Sequence, residues 1–268
     1  MPICRIGAVS YLNTKPLVFG LDARPDQCEI IYDLPSRLAD RLASGDLDLA
    51  LIPSIEAALN PDYTIVSDAC IGCRGPVWSV KLLSKVEPER IGTLALDEGS
   101  RTSAALIRIL LAEKFQIQPE LQQLPIHADW KTVETDAVLV IGDRAMQSAG
   151  EPFAHQWDLG EVWNDWTGLP FVFAMWAAAS SEFLDQADWL LTQSRNEGVN
   201  HLHAIADSNA EAYNLTQAES RKYLAEYLHF QLGADEKKAI ERYYDLAAQH
   251  NIIPNNTKLN FHECQATR

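Results

Sequence analysis

Two series of alternating strands and helices, followed by a helical final third, predict an α/β protein with two lobes. A further observation supports this: long apolar strands at 76–85 and 170–178 are placed to carry the chain out of one lobe and back again. The expected lobes are 1–86 with 175–268, which takes the C-terminal helices, and 87–174 between them.

The first series opens with CRIGAV (4–9), an apolar strand, and CEIIYDL (28–34), a second. SRLADRLASGD (36–46) carries apolar residues at helical spacing, with Ser36 as expected N-cap and Gly45 as the stop. LDLALIP (47–53) is a third strand, SIEAALN a short helix, YTIVSDACI (63–71) a fourth strand and PVWSVKLLSK (76–85) a fifth. The second series begins at IGTLALD (91–97), a strand, and SRTSAALIRILLAEKF (100–115), a helix with a hydroxyl-rich start. ELQQLPI and DAVLVIG (136–142) read as strands, DLGEVWNDWTGL (158–169) as a helix and PFVFAMWAAAS (170–180) as a buried strand. From Ser181 onward the pattern is helical. TQAESRKYLAEYLHFQLG (216–233) opens with a capping box, Thr216 to Glu219, and closes at Gly233. ADEKKAIERYYDLAAQHN (234–251) is an amphipathic helix, and NNTKLNFHECQATR a peripheral tail.

The chain has 268 residues, 47% hydrophobic and 22% charged, the balance of an ordinary globular protein with a sizeable core. No apolar run approaches the roughly 18 residues of a membrane span, and MPICRIGAV enters a strand with no signal-peptide pattern, so a cytoplasmic location is expected. A net charge of −15 disfavours nucleic acid as a partner but leaves a small anion open, because a cleft can have its own local polarity. Five scattered cysteines, Cys4, Cys28, Cys70, Cys73 and Cys264, make no disulfide framework. Cys70 and Cys73 have CxxC spacing, but no second ligand pair accompanies them, so reduced structural thiols are expected rather than a metal.

Ligands in such folds sit at strand C-termini, in the crevice between lobes. Two strand ends stand out for neutral polarity. After the first strand come Ser10, Tyr11, Asn13, Thr14 and Lys15, and after the strand at 91–97 comes DEGSRTS, with Ser100, Thr102 and Ser103. Each offers hydroxyls and backbone N–H groups at a helix start, an arrangement that binds anions; each also suits ordinary capping. Two such cradles facing each other would suit a dicarboxylate. Ser54 follows a strong strand, and Ser79 and Ser84 lie along 76–85. Asp143 and Arg144 follow AVLVIG, where the arginine serves either a carboxylate or a salt bridge. Trp163, Trp166, Phe171 and Phe173 suit a ring pocket or the core. None of the seven histidines is assigned as a base, and no GxSxG elbow, P-loop or GxGxxG is present.

Taken in order, VSYLNTKPL (9–17), LIPSIE (51–56), GPVWSVKLLSK (75–85), LDEGSRTSAALIRILL (96–111), AVLVIGDRAM (137–146) and DLGEVWNDWTGLPFVFAMW (158–176) resemble the chorismate dehydratase family of menaquinone biosynthesis. The sister family that forms 1,4-dihydroxy-6-naphthoate usually ends its first strand in Ser-Pro-Cys-Pro-Asn-Asp, where this chain has Ser-Tyr-Leu-Asn-Thr. The resemblance implies a fold like the type II periplasmic solute-binding proteins, with a ligand cleft between lobes. It implies loss of water from chorismate to give 3-[(1-carboxyvinyl)oxy]benzoate, the first step of the futalosine route, with no metal or organic cofactor. Asn13 is then the catalytic residue, unable to act as a base because an amide is not basic. Ser79 becomes the carboxylate binder of the first lobe, with Ser54 and Ser84 beside it, and Thr102 and Ser103 the second-lobe cradle. Ser10, Tyr11, Ser100 and Asp143 complete the expected substrate contacts. Rival readings are the sister enzyme, a binding protein without catalysis, and the effector domain of a transcription factor.

Overall fold

In the computed structural model, which describes residues 3–147, 150, 152–255 and 257–262, the strands form two sheets. The first is built on β1 (Cys4–Val9) and β2 (Cys28–Asp33), parallel and in register from Cys4 opposite Cys28 to Val9 opposite Asp33. β3 (Leu49–Pro53) pairs parallel with β1 on its other side. β4 (Thr64–Cys73) belongs to the same sheet. β5 (Val80–Ser84), β6 (Thr93–Asp97), β7 (Glu120–Leu124), β8 (Ala137–Ile141) and β9 (His155–Asp158) form the second sheet, in the order β7-β6-β8-β5-β9. β10 (Phe171–Ala178) returns to the first sheet and runs antiparallel between β3 and β4. Every residue of β10 is buried, as its continuous apolar run predicts.

The changes of sheet fall earlier than the expected boundaries at 86/87 and 174/175. β5 is bonded to β8 and β9 on both sides, so it is a central strand of the second sheet rather than a connector. The chain leaves the first sheet between Cys73 and Val80 and re-enters it at Phe171.

Helices α1 (Pro35–Ala43), α2 (Ser54–Leu59), α3 (Arg101–Phe115) and α4 (Leu159–Thr167) follow β2, β3, β6 and β9. α1 starts before the expected cap: Pro35, with its φ preset for a helix, takes the first turn, and Ser36 lies inside. Its stop at Gly45 has the left-handed φ of +79° that glycine favours. The final third contains α5 (Leu184–Asn200), α6 (Leu202–Asn209), α7 (Gln217–Lys222) and α8 (Ala234–Gln249). Thr216 and Glu219 form the expected capping box. The helix does not run to Gly233, however. It ends at Lys222 in a π turn over Tyr223–Tyr227, and β11 (His229–Gln231) then joins β4. Here Leu228, Phe230 and Leu232 alternate inward with period two, and this strand pattern prevails over the helical one. The tail is more than peripheral, since β12 (Asn260–Phe261) also pairs with β4; Cys264 lies outside the described residues.

α8 ties the lobes together. Tyr243 donates to the Thr102 carbonyl at 3.0 Å and Tyr244 to the Ser54 carbonyl, so one helix holds the starts of α2 and α3. Trp163, Phe171 and Tyr243 pack edge to face, with ring centroids 5.2 Å apart for Trp163 and Phe171 and 5.1 Å for Phe171 and Tyr243. Trp163 and Phe171 are therefore core, with Trp166 set edge-on against Trp163 at 5.9 Å.

Candidate active site

Between the sheets lies a half-open pocket with about 480 Å³ of space unfilled by protein atoms, part of it open to solvent. Among the described residues no charged side chain lines it. Its polar wall comes from Tyr11, Asn13, Ser79, Ser100 and Ser103, and its apolar wall includes Ile71, Val77, Ile141 and Phe173. Each polar residue arrives by a separate local device. β1 ends at Val9 and the chain turns at once into a tight 3-10 helix over Leu12–Val18, with Pro16 inside it. This turn buries Asn13 to 7% exposure and leaves its Oδ1 accepting from the Thr14 hydroxyl at 3.4 Å. Ser100 caps α3, accepting from the Ser103 N–H at 3.2 Å and donating to the Ser103 hydroxyl at 2.8 Å. The remaining N–H groups of that first turn have no acceptor within the helix, so this end of α3 favours negative charge.

Ser79 is placed by a strained link. Trp78 has a φ of +64°, an outlier for a bulky side chain that costs about 1–3 kcal/mol. Asp158 holds it there. Its carboxylate accepts from the Val77 N–H at 2.9 Å and the Trp78 N–H at 2.5 Å while also capping α4 through Gly160 and Glu161. Burial raises the Asp158 carboxyl above the usual aspartate range, and these N–H groups pull it back. The Gly142 N–H then donates to the Ser79 carbonyl at 2.8 Å and fixes Ser79 against the second sheet.

Across the cavity mouth the Tyr11 ring lies flat on Gly142, whose φ is +65°; a Cβ there would stand 2.8 Å from the ring. The Leu12 N–H reaches Asp143 at 3.5 Å. Burial pushes the Asp143 carboxyl up to about 7, against the opposing pull of that N–H and of Lys15. Arg144 is not a carboxylate binder for the cavity. It pairs with buried Asp97 at 2.5 Å and donates to the Ile126 carbonyl at 2.6 Å, and Asp97 in turn accepts from Gly99 ahead of α3.

Of the residues expected at the site, Tyr11, Asn13, Ser79, Ser100 and Ser103 meet in the cavity, and the others do not. Ser10 is exposed, its carbonyl accepting from Tyr213 at 3.1 Å. Ser54 is wholly buried and donates to the Val172 carbonyl at 2.8 Å. Thr102 accepts from the Ile55 N–H at 3.2 Å, because one step along a helix turns it off the face that Ser100 and Ser103 share. Ser84 ends β5, about 16 Å along the strand from Ser79, and donates to the Val86 carbonyl at 2.7 Å. Asp143 sits behind Gly142 rather than on the wall. Ser79 itself belongs to the link into the second sheet, not to the first lobe as expected. Cys70 and Cys73 share strand β4, where residues three apart face opposite sides of the sheet. Burial pushes the Cys73 thiol up to about 12 and raises Cys70 as well. Among the described residues no group of three or more His, Cys, Asp and Glu side chains could hold a metal.

Comparison with known proteins places this geometry in a family. A family described as menaquinone biosynthesis matches residues 4–249. The chain belongs to that family. Relatives named chorismate dehydratase include one from Thermus thermophilus, 29% identical over 82% of this chain and 86% of its own, and one from Campylobacter jejuni, 25% identical over 92% and 98%. A crystal structure of a protein from Archaeoglobus fulgidus superposes with a TM-score of 0.71 at 15% identity, covering 93% of this chain and 98% of that one. The alkanesulfonate-binding protein of Xanthomonas axonopodis pv. citri gives 0.64 at 16% identity over 95% of both chains. The fold of this family member is thus that of periplasmic binding proteins, with two sheets, a cleft and a helical C-terminal region. No helix of the described residues is long and apolar enough to cross a membrane. Two residues that shape the cleft escape a reading of the sequence: Asp158 and Gly142. The Asp158 cap is visible in DLGE, but its grip on Val77 and Trp78, some 80 residues away, is not.

Proposed function

We propose that the protein is a chorismate dehydratase, a lyase that converts chorismate to 3-[(1-carboxyvinyl)oxy]benzoate and water at the first step of the futalosine route to menaquinone. The observation that carries this reading is the wall of the cavity: neutral donors on one side, apolar and aromatic surface on the other, and no charged side chain among the described residues. A compact ring compound with two carboxylates and a hydroxyl matches that division. The chorismate dehydratase names of the relatives point the same way.

The reaction removes the proton from C3 and the hydroxyl from C4. Electrons of the C3–H bond become the last ring π bond, the C4–O bond breaks, and proton and hydroxyl leave together as water. No electron acceptor is needed, and aromaticity supplies the driving force. The protein's part is orientation and stabilisation of developing charge. The start of α3, with Ser100 and Ser103, receives one carboxylate. Ser79 donates to the other, Asn13 holds the leaving hydroxyl, and Phe173 covers the ring. Asn13 is no base, and among the described residues the wall contains no carboxylate or histidine, so the proton goes to the substrate's own enolpyruvyl carboxylate. An analogue lacking that carboxylate should lose the chemical step, and an unchanged single-turnover rate would remove this route.

The test is purified protein with chorismate, followed by mass spectrometry and absorbance. The expected product is lighter by one water and aromatic, and Asn13→Ala forms far less of it. Unchanged chorismate with folded wild-type protein would overturn the reading, and turnover of cyclic dehypoxanthine futalosine would then assign the naphthoate-forming reaction.

A further inference from the structure

The Tyr223 hydroxyl is fully buried and has no hydrogen-bond partner among the described residues. A buried hydroxyl left unbonded is costly, so each such group calls for an explanation. Its surroundings supply one. Ser79 and Asn13, two donors of the cavity wall, are the side chains nearest to it, though neither meets hydrogen-bond geometry, and Tyr223 itself is not part of that wall. Tyr223 is also the first residue of the π turn that interrupts the helix at Lys222, a kind of irregularity common at functional sites. Its ring packs edge-on against Trp78 at 5.8 Å, the strained residue next to Ser79. Two local departures from regular backbone therefore converge on one unmet hydrogen bond.

We propose that Tyr223 is a positioning residue for the substrate-binding donors: its phenol O–H donates to Ser79 Oγ from behind and so turns the Ser79 proton forward onto a substrate carboxylate. The inference rests on the function proposed above. A serine hydroxyl has one proton and can point it either way. An anionic substrate needs that proton in front, and a donor behind the oxygen enforces this. Tyrosine suits the task because burial raises its pKa well above the ordinary value, keeping the phenol protonated. A carboxylate in its place would accept the Ser79 proton and reverse the polarity. The bond forms when the substrate draws the Ser79 hydroxyl into line, which gives the buried phenol the partner it lacks.

Tyr223→Phe removes only the hydroxyl and keeps the ring on Trp78. Its melting temperature should equal or exceed that of wild type. Its kcat/KM for chorismate should fall about tenfold, the size of one hydrogen bond. Ser79→Ala should fall by at least as much, and Tyr223→Phe added to Ser79→Ala should cost nothing further, since the phenol then has no hydroxyl to orient. A merely structural role would lower the melting temperature and give additive losses. Wild-type rates in Tyr223→Phe, or additivity with Ser79→Ala, would overturn the proposal while leaving the dehydratase reading intact. Wild-type protein that does not turn over chorismate would remove that reading and this inference with it.

Discussion

Tyr11 and Gly142 show how one residue pair closes a site. The ring occupies the space a Cβ at 142 would need, and the glycine already has a left-handed φ. Gly142→Ala should therefore push Tyr11 off the cavity mouth and cost about 1–3 kcal/mol of stability, to be read by denaturant unfolding. Asp143, the next residue, makes stability depend on pH. Its folded carboxyl titrates near 7, against about 3.9 for an unfolded aspartate. The folded state thus binds the extra proton between these values, and the contribution of this group to stability is full below about 4 and is lost as pH rises through 7. Asp143→Asn should melt higher than wild type at pH 8, with the gap closing toward pH 4. A gap independent of pH would contradict the burial of that carboxyl. At this scale, the polar strand ends were legible as a site because neutral hydrogen-bonding groups after an apolar strand have few other uses. Which hydroxyls enter the cavity was not. Ser100 and Ser103 share a helix face while Thr102 turns away to Ile55, a matter of phase that a list of residue types does not hold.

Among the elements, the 3-10 turn that carries Asn13 is held from behind by α5. A Cβ at Gly198 would stand 1.9 Å from the Pro16 carbonyl oxygen, and backbone cannot move aside as a side chain can. Gly198→Ala should displace the turn, lower the melting temperature and impair any turnover that depends on Asn13. Asp158 acts at the same scale, joining the link at Val77 and Trp78 to the start of α4. Asp158→Ala should leave three or more N–H groups without their acceptor and be among the most destabilising single changes in the cleft, measurable as a fall in unfolding midpoint. Most elements could be read from periodicity, including α3, α8 and the buried β10. The stretch 216–233 could not, because a helical start with a sound capping box meets a strand pattern at Leu228, and the unpaired edge of β4 decides where one yields to the other.

Across the whole molecule, the two lobes touch around the cavity through Tyr11 on Gly142, Ser36 N–H on the Gly99 carbonyl at 3.3 Å, and Arg101 on Glu56 at 3.1 Å. These contacts bridge the two lobes, and closure of the lobes about a ligand would tighten them. Small-angle scattering should show a larger radius of gyration without chorismate than with it, and superimposable curves would count against lobe opening. Alternation, helical spacing and capping are local properties of the chain, and they are enough for the α/β class, the two lobes and the neutral polar strand ends. That β5 belongs to the second sheet, that α8 ties the starts of α2 and α3 together, and that Tyr223 comes near Ser79 and Asn13 emerge only once the chain is folded. Such facts join residues tens to hundreds of positions apart, and their energies come from burial and hydrogen-bond geometry that no short segment contains.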